Sequence, residues 1–153
     1  MFKFARTLAY ILAFVAIIIT SVDVMSFDLD FFRDFYSKNG SAEEIGVSFD
    51  DLMNSTEVLL DYTRGRLESL DVTVTVDGRR EMMFNKREVD HMVDVKDLYL
   101  GALLIRNLAI VFFVFLLLTD VLTKRFSFEL HWQAVKRAGI IMFALIAFII
   151  MAA

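Results

Sequence analysis

The chain contains no cysteine and no proline. Without cysteine there is no disulfide framework, no thiolate metal site and no cysteine nucleophile. Either face of a membrane is then open to it on redox grounds. Without proline, the apolar segments are expected to run as unkinked helices. Histidine is nearly absent, with 2 in 153 residues. Positive charge is scarce over one long stretch. From Asp23 to Leu100 there are 18 acidic and 9 basic side chains, whereas the remainder carries 7 basic and 2 acidic ones. Apart from Arg106, the basic residues outside that stretch gather before the first apolar run (Lys3, Arg6) and between the last two (Lys124, Arg125, Lys136, Arg137). Short basic clusters beside apolar runs are topology signals, so nucleic acid is not an expected partner.

Apolar residues are plentiful. They make up 58% of the chain, and mean hydropathy is +0.59, too high for an ordinary soluble domain. Three runs stand out: "LAYILAFVAIIITSV" (Leu8–Val22), "LAIVFFVFLLLTDVL" (Leu108–Leu122) and "AGIIMFALIAFIIMAA" (Ala138–Ala153). A cleaved signal peptide is the competing reading of the first, but "IIITSVDVM" lacks the small residues of a cleavage site. The expected fold class is an α-helical integral membrane protein forming a single membrane domain. Its transmembrane helices are placed at about 5–24, 99–122 and 136–153, since a bilayer core requires ~20 apolar residues. The positive-inside rule puts the N-terminus and a loop at about 123–135 in the cytoplasm, and the acidic head at about 25–98 outside.

Pattern orders the head. Phe27, Phe31 and Phe35 in "FDLDFFRDFY" recur at helical spacing, as a stripe that packs on the membrane helices or rests in the lipid interface. "SKNGS" reads as a turn. "SFDDLMNSTEVLLDYTRG" reads as a helix, with Ser48 and Asp51 resembling a capping box and Gly65 as its terminator. "VTVTVDGRREMMF" reads as a β-hairpin turning at Asp77-Gly78. Residues 86–122 are expected to form one long helix leaving the head for the membrane. Arg106 and Asn107 interrupt its apolar pattern, where a charge either snorkels or lines a polar cavity.

Steps of three residues keep Glu88, His91 and Asp94 on one side of that helix. A carboxylate near an imidazole fixes its tautomer and raises its pKa, which suits a general base. A solvated acidic helix that happens to carry a histidine is the bland alternative. A metal site is the rival chemistry, because Glu88-x-x-His91 is half of a two-helix carboxylate motif, but its other half is missing. His131, in "FELHWQ", lies at the opposite side of the membrane, and with Trp132 it reads as an interfacial anchor. No serine neighbours His91 in a nucleophile motif.

The string from Phe84 to Lys96, with Glu88, His91, Met92, Asp94, Val95 and Lys96, together with Asp61-Tyr62-Thr63-Arg64-Gly65 upstream, resembles the lipoprotein intramolecular transacylase (Lit) family. The resemblance runs from the first membrane helix through the third. It implies four membrane helices under an extracytoplasmic head in a bacterial cytoplasmic membrane. The implied reaction moves the sn-2 acyl chain of a diacylglyceryl-modified lipoprotein to the α-amino group of its N-terminal cysteine, giving the lyso-form. On this reading His91 is the base, and Glu88 or Asp94 orients it. Arg106 anchors or polarises the substrate, Tyr62 donates a hydrogen bond near the ester carbonyl, and Lys96 is counted with the substrate-binding residues. No cofactor is implied, and the partners are the lipoprotein and membrane lipid. Family members continue into a second outer loop with another histidine and a fourth helix, which this sequence lacks; it is expected to be either a fragment of a longer chain or a shorter paralogue without the activity. The alternative function is a non-enzymatic membrane protein whose acidic head binds a partner or lipid.

Overall fold

In the computed structural model, which describes residues 2–76 and 78–152, the chain is mostly helical. The elements run α1 (Phe2–Ser26), α2 (Leu29–Asn39), α3 (Ser41–Ile45), α4 (Phe49–Thr63), β1 (Thr73–Val76), β2 (Arg79–Met82), α5 (Lys86–Leu122) and α6 (Phe128–Ala152). They form two compact units, one of residues 1–22 and 103–153, the other of residues 23–102.

The first unit is helical. Among the described residues three helices are long and apolar enough to cross a membrane: α1, α5 and α6. Its interior inverts the usual order. The buried side chains are alanines (Ala9, Ala16, Ala109, Ala134, Ala138) and polar groups (Arg6, Thr7, Asp120, His131). Phe4, Ile17, Leu108, Phe115, Ile140 and Phe148 face outward. A water-soluble bundle buries its large apolar residues, and so broad an exposed apolar surface is not stable in water. Small residues between helices with large ones outside is the pattern that lipid selects. Hydroxyls within the apolar segments bond back to the preceding turn, Thr20 to the Ala16 carbonyl at 2.7 Å and Thr119 to that of Phe115 at 2.8 Å. These two hydroxyl donors are thereby satisfied within their own helices.

The helix α5 is one uninterrupted rod of 37 residues, about 55 Å at 1.5 Å per residue. No proline breaks it. It closes at Lys124, whose positive φ of 55° lets the Arg125 amide reach the Asp120 carbonyl at 2.8 Å. The α6 helix starts at Phe128, well before the apolar run, and the His131 amide bonds the Ser127 carbonyl at 3.1 Å.

In the second unit, α4 is the organising helix. Ser48 caps it, its hydroxyl accepting from the Asp51 amide at 3.0 Å, as the sequence predicts. It ends in a Schellman turn. The Gly65 amide reaches the Tyr62 carbonyl, and the Arg66 amide reaches that of Asp61, both at 2.9 Å. Gly65 has a φ of 73°, the left-handed conformation this turn demands. The core is small: Ala42, Leu52, Tyr62, Leu70, Val72 and Val74. The two strands form an antiparallel hairpin, with Thr73 opposite Met82 and Val76 opposite Arg79. Val74 alone is fully inward, and β2 is exposed throughout. Of the expected turn, Asp77 lies outside the described residues, and Gly78 has a φ of 78°.

The Phe27, Phe31, Phe35 stripe is corrected. Asp28 caps α2, its carboxylate accepting from the Asp30 amide at 3.0 Å. Phe27 therefore stands outside the helix. Its ring lies 4.9 Å from that of Tyr99, and the Arg64 guanidinium sits 4.1 Å above it.

Candidate functional site

The start of α5 is built by a capping box. The Glu88 amide donates to the Asn85 side-chain oxygen at 3.0 Å, and the Asn85 amide donates back to the Glu88 carboxylate at 2.8 Å. This reciprocal pair satisfies two donors at a helix start. It sets the first turn of α5, and His91 lies in the next. His91 is exposed and borders an open hollow with Asn85, Arg87 and Glu88. Glu88, His91 and Asp94 share one side of the helix, but among the described residues no carboxylate hydrogen-bonds the imidazole. The Glu88 carboxylate is turned toward Asn85 instead. The sequence held the signal, an asparagine three residues before a glutamate at a helix start.

Tyr62 and Lys96 do come together. The Lys96 ammonium lies 4.2 Å over the Tyr62 ring and donates to the Leu67 carbonyl at 2.8 Å. The ring of Tyr62 is buried, with the residue 4% exposed. The Schellman turn brings α4 against α5 here, since a Cβ on Gly65 would stand 3.3 Å from Leu100 and 3.9 Å from Lys96.

Beside this pair lies a group that sequence reasoning missed. Asp23, at the end of α1, accepts from the Tyr99 hydroxyl and, at 3.1 Å, from Arg64. Burial works to lower the Arg64 pKa, but hydrogen bonds with Tyr99 and Asp23 outweigh it and hold the guanidinium above its ordinary value. Arg64 stays charged and ties the end of α4 to Asp23. Its sequence signal was Arg64 itself, inside the segment Asp61–Gly65.

Arg106 belongs to the helical unit, where its Nε donates to the Asn107 side chain at 3.2 Å. In the same unit four polar side chains converge. Arg6 grips Asp120 with two bonds, Nε to Oδ2 at 2.7 Å and Nη2 to Oδ1 at 2.8 Å. His131 Nε2 lies 3.3 Å from Asp120 Oδ2, and the Tyr10 hydroxyl is 3.1 Å from His131 Nδ1. Phe126 stacks on the imidazole at 4.8 Å. Arg6, Asp120 and His131 are 5%, 3% and 5% exposed. His131 is thus a buried member of a polar clasp, not an interfacial anchor. Its partners, on α1 and at the end of α5, draw it inward, while Trp132 next to it remains outside. The signal was Asp120, a lone carboxylate in an apolar run, which calls for a cation.

Among the described residues, no three metal-binding side chains are grouped to hold an ion.

The family model for the lipoprotein intramolecular transacylase Lit matches residues 7–153. No curated protein and no solved structure matches the chain.

Proposed function

The chain belongs to the lipoprotein intramolecular transacylase Lit family, and on that premise we propose that it moves an acyl chain within a diacylglyceryl lipoprotein. The amine of the N-terminal cysteine attacks the sn-2 ester carbonyl. A C–N bond forms, the bond from that carbonyl carbon to the glycerol oxygen breaks, and the proton lost by nitrogen ends on that oxygen. Ester and amine belong to one molecule, so no acyl-enzyme and no cofactor are needed. Holding the two ends together supplies a large effective molarity.

The observation that carries the reading is the family match over nearly the whole chain, including the segment around His91. An α-ammonium has a pKa of about 8, so the reaction needs a group that accepts its proton near neutrality. His91 fills that role in the proposal, taking the proton and returning it to the leaving oxygen. Its exposure on an early turn of α5 supports access to substrate. Tyr62 donates to the ester carbonyl, and Lys96, held over its ring, carries the positive charge that favours a developing oxyanion. Glu88 acts by setting the first turn of α5, and Asp94 by facing the imidazole once substrate is bound.

The proposed setting is a bacterial cytoplasmic membrane. The N-terminus and the segment between α5 and α6 lie in the cytoplasm, with the acidic head outside, following the basic clusters. The test is mass spectrometry of a reporter lipoprotein's N-terminal peptide, in a host that otherwise leaves its amine free. Transfer of one acyl group from glycerol to nitrogen at constant mass supports the transacylase. An amine left unmodified both by this chain and by the full reading frame of its gene, with the protein well inserted, removes it.

A further inference from the structure

The proposed reaction makes no use of α2. This helix carries two aromatic faces. Phe32 and Tyr36 turn inward, their rings 5.9 Å apart, and the Tyr36 hydroxyl accepts from Thr56 at 3.2 Å. Phe31 and Phe35 turn outward, stacked on each other at 6.2 Å, and remain 58% and 50% exposed. A phenyl ring has no polar edge to offer water, so two adjacent bare rings mark a surface that something covers. Around them run paired ions of the same helix, Arg33 with Asp30 and Lys38 with Asp34, each at 3.4 Å. Apolar rings with a charged border are the composition of a helix that lies in a bilayer interface.

We propose that the Phe31–Phe35 face of α2 is a lipid anchor, seated among the headgroups and upper acyl chains of the bilayer that the long helices cross. Chain continuity selects this occupant. Only Phe27 and Asp28 separate the end of α1 from the start of α2. Phe31 is five residues beyond Ser26, within about 18 Å even if fully extended. With 25 residues, α1 is about 37 Å long, against a hydrocarbon core of ~30 Å. Its last turn therefore emerges at the interface, and that turn exposes Val24 and Met25. Within the same compact unit, Asp23 and Phe27 are tied to Tyr99, beside the exposed Leu98. Within this unit, the part of α5 around Tyr99 thus lies beside the point where α2 begins. A second copy is a poor occupant, because two rings supply far less area than a stable dimer buries, about 1,200 Å² or more.

Charge decides the kind of lipid contact. Asp28, Asp30 and Asp34 outnumber Arg33 and Lys38, so attraction to anionic headgroups does not hold this face. Ring burial does, and seating is expected in neutral phosphatidylcholine and to withstand salt.

Trp132 is the sole tryptophan, which makes a clean test possible. The full chain carrying Phe31→Trp in a Trp132→Phe background is reconstituted into phosphatidylcholine vesicles. The expected result is blue-shifted emission, lost when lipids brominated near the headgroup are included and little affected by aqueous iodide or added salt. Water-like emission quenched by iodide and not by bromolipid overturns the anchor. Emission reached by neither quencher also overturns it, since the face is then covered by protein, within the chain or between copies of it. Phe35→Trp serves as the reporter where the first variant does not assemble.

Discussion

At the residue scale, Glu88 and His91 separate two kinds of contribution. The sequence places them together, and resemblance assigns both to one catalytic group. The structure spends Glu88 on the helix start, with Asn85. Glutamine also serves at the third position of a capping box, so Glu88→Gln is expected to keep nearly full acyl migration. Glu88→Ala is expected to lower the unfolding midpoint, with a stability loss of about 1 kcal/mol. A steep drop in rate for Glu88→Gln, read by mass spectrometry of the reporter peptide, would restore Glu88 to an orienting role. His91→Ala is expected to abolish migration while leaving insertion and thermal stability intact. Residue types and spacing were legible in the sequence. The direction of the Glu88 carboxylate was not, because it depends on where the chain before α5 turns into the helix. His131 makes the same point. Its neighbours in sequence suggest an interfacial residue, and its neighbours in space come from two other segments.

Among the elements, helix ends were the most legible features and helix partners the least. Ser48 and Gly65 mark the two ends of α4 by local chemistry that any sequence displays. Phe27 was misplaced because the aromatic period continues through Asp28, a residue that stops the helix by capping it. Gly65 is the element whose replacement is most informative. Its φ of 73° disfavours a side chain, and an added Cβ would press on Leu100 at 3.3 Å. Gly65→Ala is expected to cost about 1–2 kcal/mol, seen as a lower midpoint in detergent, and to lower acyl migration with it. Arg6 and Asp120 join α1 to α5. Removing one partner of a buried ion pair costs about 3–5 kcal/mol, whereas replacing both by apolar residues is often neutral. Asp120→Ala should therefore destabilise strongly, and Arg6→Leu with Asp120→Leu together should recover most of the loss. Thermal unfolding of the single and double variants checks this, and equal losses in both would contradict it.

Over the whole molecule, the absence of cysteine becomes an advantage. Single cysteines can be added without background. With the proposed orientation, Ser41→Cys in the head is expected to react with an impermeant maleimide added to intact cells. Ser127→Cys, between α5 and α6, is expected to react only after permeabilisation. The reverse pattern would invert the topology and place His91 in the cytoplasm. Among the described residues, the three helices long and apolar enough to cross a membrane were legible as uninterrupted apolar runs, the length and polarity that a bilayer core of about 30 Å requires. The alanine-lined interior was harder to foresee, since outward-facing phenylalanine and isoleucine look the same in sequence as core residues.

The clasp also has a history in time. Arg6 precedes its partner Asp120 by 114 residues. At about 5–20 residues per second, synthesis leaves roughly 6–23 s between the two. During that interval the Arg6 guanidinium lacks the partner it has in the finished fold, and the two bonds to Asp120 form only once most of α5 has been made. The last residues to join, His131 and its stacking partner Phe126, arrive later still. The pair that joins α1 to α5 is therefore a late contact of synthesis, separated in time from the formation of either helix.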